Sequence, residues 1–351
     1  MKITMRIISL MLALGVAGAL SAQTDIAFDS VPNLLKLPNN IHLGEVAGVA
    51  TNSKGSIYVL TRSGDMWATT GTSRTFTHGG VHLYSFDSNG KYTGEIGQNL
   101  YGFLYGNAVR VDKNDNIWVV DRGASLVIQF APDGHVIWPM GRKPESINIG
   151  PPGGGGRGRG GPNAPPPGSG SPGDLFNQPS DVAWNAAGEI YVADGFGNAR
   201  VGKYDTMGHF IKSWGHKGSG QGEFDQASSI QVDAQGNVYV ADSGNKRIQV
   251  FDGEGNFKGQ ITGVGTPRTI CINPGAQQFL YVSNSNPVDD YDHGGEIYKL
   301  DLTGKILGKF GEVGKQMKQF GAVNEIDCRR PNELYVAEVG NWRVQKLTLR
   351  P

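Results

Sequence analysis

Along most of the chain, short apolar stretches alternate with polar residues at a period of two and are cut by Asn, Asp and Gly. That is the rhythm of half-buried strands, and no helical period competes with it. One unit recurs. An apolar strand leads into a turn, and the turn into a strand of apolar–aromatic–Val type. The second strands are Ser56–Val59, Asn116–Val119, Glu189–Val192, Asn237–Val240, Phe279–Val282 and Glu333–Val336. Most continue into a third strand, as in Lys246–Phe251 and Trp342–Leu347. A Gly-bearing turn and a fourth strand follow, as in Asp205–Ile211.

Six copies of a four-stranded unit predict an all-β, six-bladed β-propeller with four antiparallel strands per blade. One blade cannot bury both faces, so stacking in a ring creates the core. The spacing is roughly 49 residues per blade, within the ~40–50 residues of propeller repeats. Asp121, Asp194 and Asp242 close the second strands and are expected to tie down backbone amides in the turns. Asp25–Leu37 has no repeat of its own, and is expected to supply the outer strand of the last blade so that no edge stays open.

Lys2 and Arg6 precede an apolar run, Ile7–Leu20, too short to span a bilayer comfortably. Small residues follow up to Ala22. Residues 1–22 therefore read as a secretory signal peptide, the propeller as 23–351, and the location as secreted or periplasmic without a stable membrane anchor. Lys+Arg and Asp+Glu are 32 each, which argues against a nucleic-acid partner held by bulk charge. Residues 141–174 interrupt the repeats, and the run Pro151–Gly173 is so rich in Gly and Pro that it reads as a flexible insertion. Its Arg157–Gly161 run reads as a solvated loop in an exported protein. His78 and His82 share a strand face by spacing, and His293 lies in an Asp-rich stretch; all three are placed on loops or outer segments. Cys271 and Cys328 fall in alternate register on the inner strands of blades five and six, which predicts two separate buried thiols.

The repeats resemble NHL repeats. Their phrasing is similar to that of the bacterial relatives of peptidyl-α-hydroxyglycine α-amidating lyase, a six-bladed propeller. Gly44–Ala50, Phe176–Ala183, Asp194–Arg200, Phe210–Gly215 and Asn341–Lys346 carry the resemblance, which runs from about Gly44 to Leu349 without the insertion. It implies a zinc ion held by three inner-strand histidines, with Tyr and Arg around it. Zinc takes imidazole and keeps a position open, and its charge stabilises the hydroxyl oxygen as a C–N bond breaks.

This chain departs from the pattern at the positions that matter. The three histidine positions fall on Asn107, Ser228 and Asn324, neutral groups that make poor zinc ligands. The family tyrosine is Phe196, and an expected arginine is Ser243. Thr61–Trp67 resembles the Arg-Gly-Asp-x-x-Trp stretch with one residue inserted, so Arg62 is kept as the catalytic candidate. The resemblance also implies a structural calcium, and Glu325 stands where its carboxylate ligand would be. The expectation is therefore an exported binding module without zinc, whose axial funnel is lined by Arg62, Asn107, Phe196, Ser228, Arg268 and Asn324. It would take a small peptide-like or carboxylate ligand, or another exported protein. The alternative is a carbon–nitrogen lyase of the peptidylamidoglycolate type, or a hydrolase, with altered metal ligands.

Overall fold

The computed structural model describes residues 24–31, 33–62, 68–70, 74–76, 80–141, 175–285 and 292–350. The expected leader, most of the 141–174 insertion, Ser63–Trp67 and His78 lie outside them. Within them the chain forms the six four-stranded antiparallel sheets that the repeats call for. The inner strands are Glu45–Thr51, Gly106–Val111, Asp181–Trp184, Ala227–Val232, Pro267–Ile272 and Val323–Arg330. Every apolar–aromatic–Val stretch is the second strand of its blade, from Ile57–Arg62 to Glu333–Glu338.

The blades pack through apolar residues projecting from both faces of each sheet. Each neighbouring pair of blades encloses its own cluster. Blades three and four share Ala183, Tyr191, Val201, Ile230, Val240 and Phe251. Blades six and one share Val46, Val59, Tyr335, Ala337 and Val344. The aromatic residue of each second strand is therefore part of an inter-blade seam. Burial is shared around the ring, so no blade has a core of its own.

The ring closes as the opening segment suggests. Phe28–Val31 adds antiparallel to Arg343–Leu349, with Phe28 opposite Leu349 and Val31 opposite Lys346. The first strand of the chain is thereby the outer strand of the last blade, and covers an edge that would otherwise be open.

The acids after the second strands hold backbone. Asp121 accepts from the amides of Leu104 and Tyr105 at 2.8 and 2.9 Å and from Ala124 at 2.7 Å. Asp194 and Asp242 accept from Asn177 and Asp225, and Glu338 does the same for Gly321. Asn and Arg from the same turn complete three of these sets: Asn198 and Arg200, Asn245 and Arg247, Asn341 and Arg343. The loop that starts each of these inner strands is thus fixed to the end of the second strand beside it.

The two cysteines overturn their expected reading. Cys271 and Cys328 form a disulfide, with Cα atoms 6.0 Å apart, between the inner strands of blades five and six. The alternate register is what lets them meet, because neighbouring blades pack through opposite faces. Ile270 and Ile272 face blade four, which turns Cys271 between them toward blade six. Cys328 shares the face of Ile326, toward blade five. The bridge closes a separation of 57 residues, for which chain-entropy arguments give about 4 kcal/mol. Reduction, or Cys271→Ser with Cys328→Ser, is expected to lower Tm by on the order of 8 °C. Differential scanning calorimetry with and without reductant checks this, and an unchanged Tm contradicts it.

Candidate functional site

The site is built by a defect repeated in the inner strands. Each ladder carries one extra residue near its start: between Val46 and Gly48, Gly106 and Ala108, Ala227 and Ser229, Pro267 and Ile270, and Val323 and Glu325. In blade three, Ser180 and Asp181 both meet Ala193. These bulges set Asn107, Ser180, Ser228, Arg268 and Asn324 around one axial cavity of about 450 Å³, which Phe196, Arg122 and Glu325 also line. Bulges commonly aim side chains at functional sites. The structure thus brings together Asn107, Phe196, Ser228, Arg268, Asn324 and Glu325.

Arg62 is placed differently. It does not line the cavity. Its Nε is 2.8 Å from Glu45, its Nη1 donates to the Gly106 carbonyl at 3.1 Å, and its guanidinium lies 4.1 Å over the Tyr105 ring. Arg62 is a buried, charge-paired neighbour of the cavity wall.

Besides Arg110 at its base, the cationic groups that line the cavity are Arg122 and Arg268. Arg122 lies flat on Phe196, 3.7 Å from the ring centre, and its Nε donates to Gln178 at 3.2 Å. Phe196 therefore serves as a platform for a guanidinium. Arg268 donates Nε to Asn324 Oδ1 at 3.0 Å. Burial, then the like charges of Arg62 and Arg122, push its guanidinium down to about 10, which leaves it protonated at pH 7. Arg122 is also lowered, chiefly by burial.

The neutral ring donates away from the ligand space. Asn107 Nδ2 donates to the Ser180 carbonyl at 2.7 Å, and Asn324 Nδ2 to Ala47 and Asn107. The Ser180 hydroxyl donates to Ala193 and Ala227, and that of Ser228 faces the carbonyls of Ala241 and Pro267. What the ring offers a ligand is lone pairs; the strong donors are the two guanidiniums.

The base of the cavity is a buried ion cluster. Arg110 donates from Nε and Nη2 to the two oxygens of Asp181 at 2.9 and 2.6 Å, and its Nε lies 3.0 Å from Glu325 Oε1. Glu325 Oε2 accepts from Val49 and Val109 at 3.1 and 3.0 Å. Asp181 also accepts from the Ser229 hydroxyl and the Ile230 amide. Burial pushes Glu325 well above the usual carboxylate range, and Arg110 opposes it. Burial alone would lower Arg110, but Asp181 and then Glu325 keep it raised. Arg110 also lines a second depression of about 670 Å³ at the opposite end of the axis, so the cluster divides the channel in two. Gly48 leaves room for it: a Cβ there would come within 2.3 Å of Glu325 Oε2.

This donor set does not suit calcium at Glu325. The carboxylate faces two N–H donors and a guanidinium, all of which repel a cation, where calcium requires six to eight oxygens. Among the described residues no group of three or more His, Cys, Asp or Glu could hold a metal ion. His82 stacks on Tyr84 and bonds Glu95 at 2.7 Å in blade one, while His293 is exposed on the loop of blade five.

Sequence reasoning missed Arg122, Tyr105, Arg110 and Asp181. Arg122 had a signal. It follows the apolar run of its second strand in the slot that Arg62 fills one blade earlier. Arg110 and Asp181 are charges inside apolar inner strands, a pattern that calls for a buried partner.

A family model described as a 6-bladed beta-propeller matches residues 174–286. Peptidyl-glycine alpha-amidating monooxygenase A of Xenopus laevis is 27% identical over 317 residues, covering 85% of this chain and 31% of that protein. Peptidyl-alpha-hydroxyglycine alpha-amidating lyase 1 of Drosophila melanogaster is 25% identical over 342 residues, covering 89% and 58%. The chain thus spans 31% and 58% of these relatives' lengths. Among solved structures, a streptogramin B lyase superposes with a TM-score of 0.56 at 12% identity, over 93% of this chain and 98% of that one, a likeness of fold alone. The chain is a six-bladed, NHL-like β-propeller with homology to the α-amidating lyases.

Arg110→Met leaves Asp181 and Glu325 without their cation and is expected to cost roughly 3–5 kcal/mol. Adding Asp181→Asn and Glu325→Gln should recover part of that loss, and EDTA should leave the wild-type Tm unchanged. Urea unfolding and thermal melts check these outcomes. A melt lowered by EDTA and restored by calcium contradicts the cluster's account.

Proposed function

We propose that the chain is an exported binding module whose axial cavity holds a small carboxylate-bearing or peptide-like ligand. One observation carries the reading. The cavity presents two guanidiniums, Arg122 and Arg268, whose hydrogen bonds among the described residues use only Nε and reach only the neutral side chains of Gln178 and Asn324. Buried guanidiniums gain most from a bidentate carboxylate.

The donor set also favours binding over zinc-dependent lyase chemistry. Where three imidazole nitrogens would be needed, Asn107, Ser228 and Asn324 stand, each with a side-chain donor turned to a backbone carbonyl. The homology to amidating lyases supports a ligand resembling a peptide C-terminus, which also ends in a carboxylate. The basic, apolar and small-residue order of residues 1–22 supports export, and the Cys271–Cys328 disulfide fits an oxidising compartment.

Isothermal titration with N-acetylglycine is the test. Binding is expected at pH 7. Arg268→Met should weaken it by roughly ten- to a hundredfold, the scale of a charge-assisted hydrogen bond. Purified protein should carry substoichiometric zinc and leave a peptidyl-α-hydroxyglycine intact. Stoichiometric zinc whose removal abolishes turnover would overturn the reading in favour of a lyase.

A further inference from the structure

We infer that the ligand of the cavity carries two carboxylates, one for each free guanidinium fork. The inference rests on the carboxylate-binding reading above and sharpens it to a class: small aliphatic dicarboxylates.

Two observations lead there. The first is the geometry of the donors. Arg122 has its plane fixed on Phe196 and its Nε on Gln178. Arg268 has its Nε on Asn324. Each side chain is therefore held by its inner nitrogen, which leaves the paired terminal nitrogens to make a fork. A single carboxylate has two oxygens and matches one fork bidentately. Two forks on one cavity call for two carboxylates.

The second is charge. Among the described residues, Glu45 pairs with Arg62, and no carboxylate pairs with Arg122 or Arg268. The mouth thus holds two guanidiniums without a carboxylate partner; beyond burial, Arg268 is lowered by the charges of Arg62 and Arg122, against a weaker opposing pull from Glu45, and Arg122 by that of Arg62. The carboxylates at the base do not neutralise them. Asp181 and Glu325 are turned to Arg110 and to the amides of Ile230, Val49 and Val109. A dianion cancels the charge of the mouth, whereas a monoanion leaves one cation repelled and desolvated.

The cavity has room for such a ligand, at about 450 Å³. Between the forks the ring offers lone pairs, because the hydroxyls of Ser180 and Ser285 donate to backbone carbonyls. A hydroxyl or amine on the ligand's middle carbons would donate to them.

Calorimetric titration at pH 7 and low ionic strength compares succinate and glutarate with butyrate, valerate and inorganic phosphate. A dicarboxylate is expected to bind at least about tenfold tighter than the monocarboxylate of equal length. Arg122→Met and Arg268→Met should each reduce dicarboxylate affinity to the monocarboxylate level, with thermal melts confirming folded variants. Arg122→Lys and Arg268→Lys keep charge without the fork, and should fall between wild type and Met. Equal binding of mono- and dicarboxylates overturns the two-fork inference and leaves the carboxylate reading standing. Phosphate binding tighter than any dicarboxylate also overturns it, because one compact dianion cannot span two forks. If no anion binds, both readings fail.

Discussion

The buried contact between Arg110, Asp181 and Glu325 is the constraint on which the rest of the axis depends. It draws on every blade. Arg110 comes from the second blade, Asp181 from the third and Glu325 from the sixth. The first blade adds the Val49 amide. The fourth adds Ser229, whose hydroxyl also accepts from Ile270 of the fifth. A propeller channel lined only by backbone would leave amides of six inner strands facing one another. Here Glu325 accepts from the amides of Val49 and Val109, Asp181 from that of Ile230 and Ser229 from that of Ile270, while Arg110 joins the two carboxylates and closes the channel. Neither carboxylate could be removed from water alone, because an isolated buried charge is prohibitive. The cluster holds together through the two Arg110–Asp181 hydrogen bonds, the amides on Glu325 Oε2 and the 3.0 Å ion pair between Arg110 and Glu325 Oε1.

From that floor upward, the cavity's character follows from position. The inner strands start with bulges, and in blades two to six the bulges turn one side chain inward. Because those side chains are Asn, Ser and Arg, the cavity is polar without being metal-binding. Their amide and hydroxyl protons serve neighbouring carbonyls, which binds adjacent inner strands together at the same height. The guanidiniums of Arg122 and Arg268 are then the groups left to meet a ligand. Phe196 takes part through its face, by fixing the plane of Arg122. A tyrosine hydroxyl is not required for that role.

The fold was legible because it is written six times. The apolar–aromatic–Val strand, the acid at its end and the Asn–Arg pair after it recur at a steady spacing, and each has a local physical reason. The closing strand was legible too, since an unrepeated opening segment and an incomplete last blade imply each other. The site was legible in part. Asn107, Ser228, Arg268 and Asn324 converge because bulge positions are fixed by the blade itself, and Phe196 joins them from the turn after its second strand. Arg62 was misplaced: its pairing with Glu45 is a tertiary fact that a motif does not carry. Arg110 and Asp181 are far apart in sequence, and only the closed ring makes them partners. The disulfide was misread for a related reason. Period-two counting gave the two faces, but neighbouring blades meet through opposite faces, so side chains in alternate register oppose each other across the seam.

A crystal structure with a bromine-labelled aliphatic dicarboxylate measures the central claim most directly, because anomalous scattering locates the ligand without assumption. The account predicts bromine inside the axial cavity, with one carboxylate on Arg122, the other on Arg268, and no cation between ligand and ring. A metal ion ligated by Asn107, Ser228 and Asn324, with the ligand bound through it, would contradict the account.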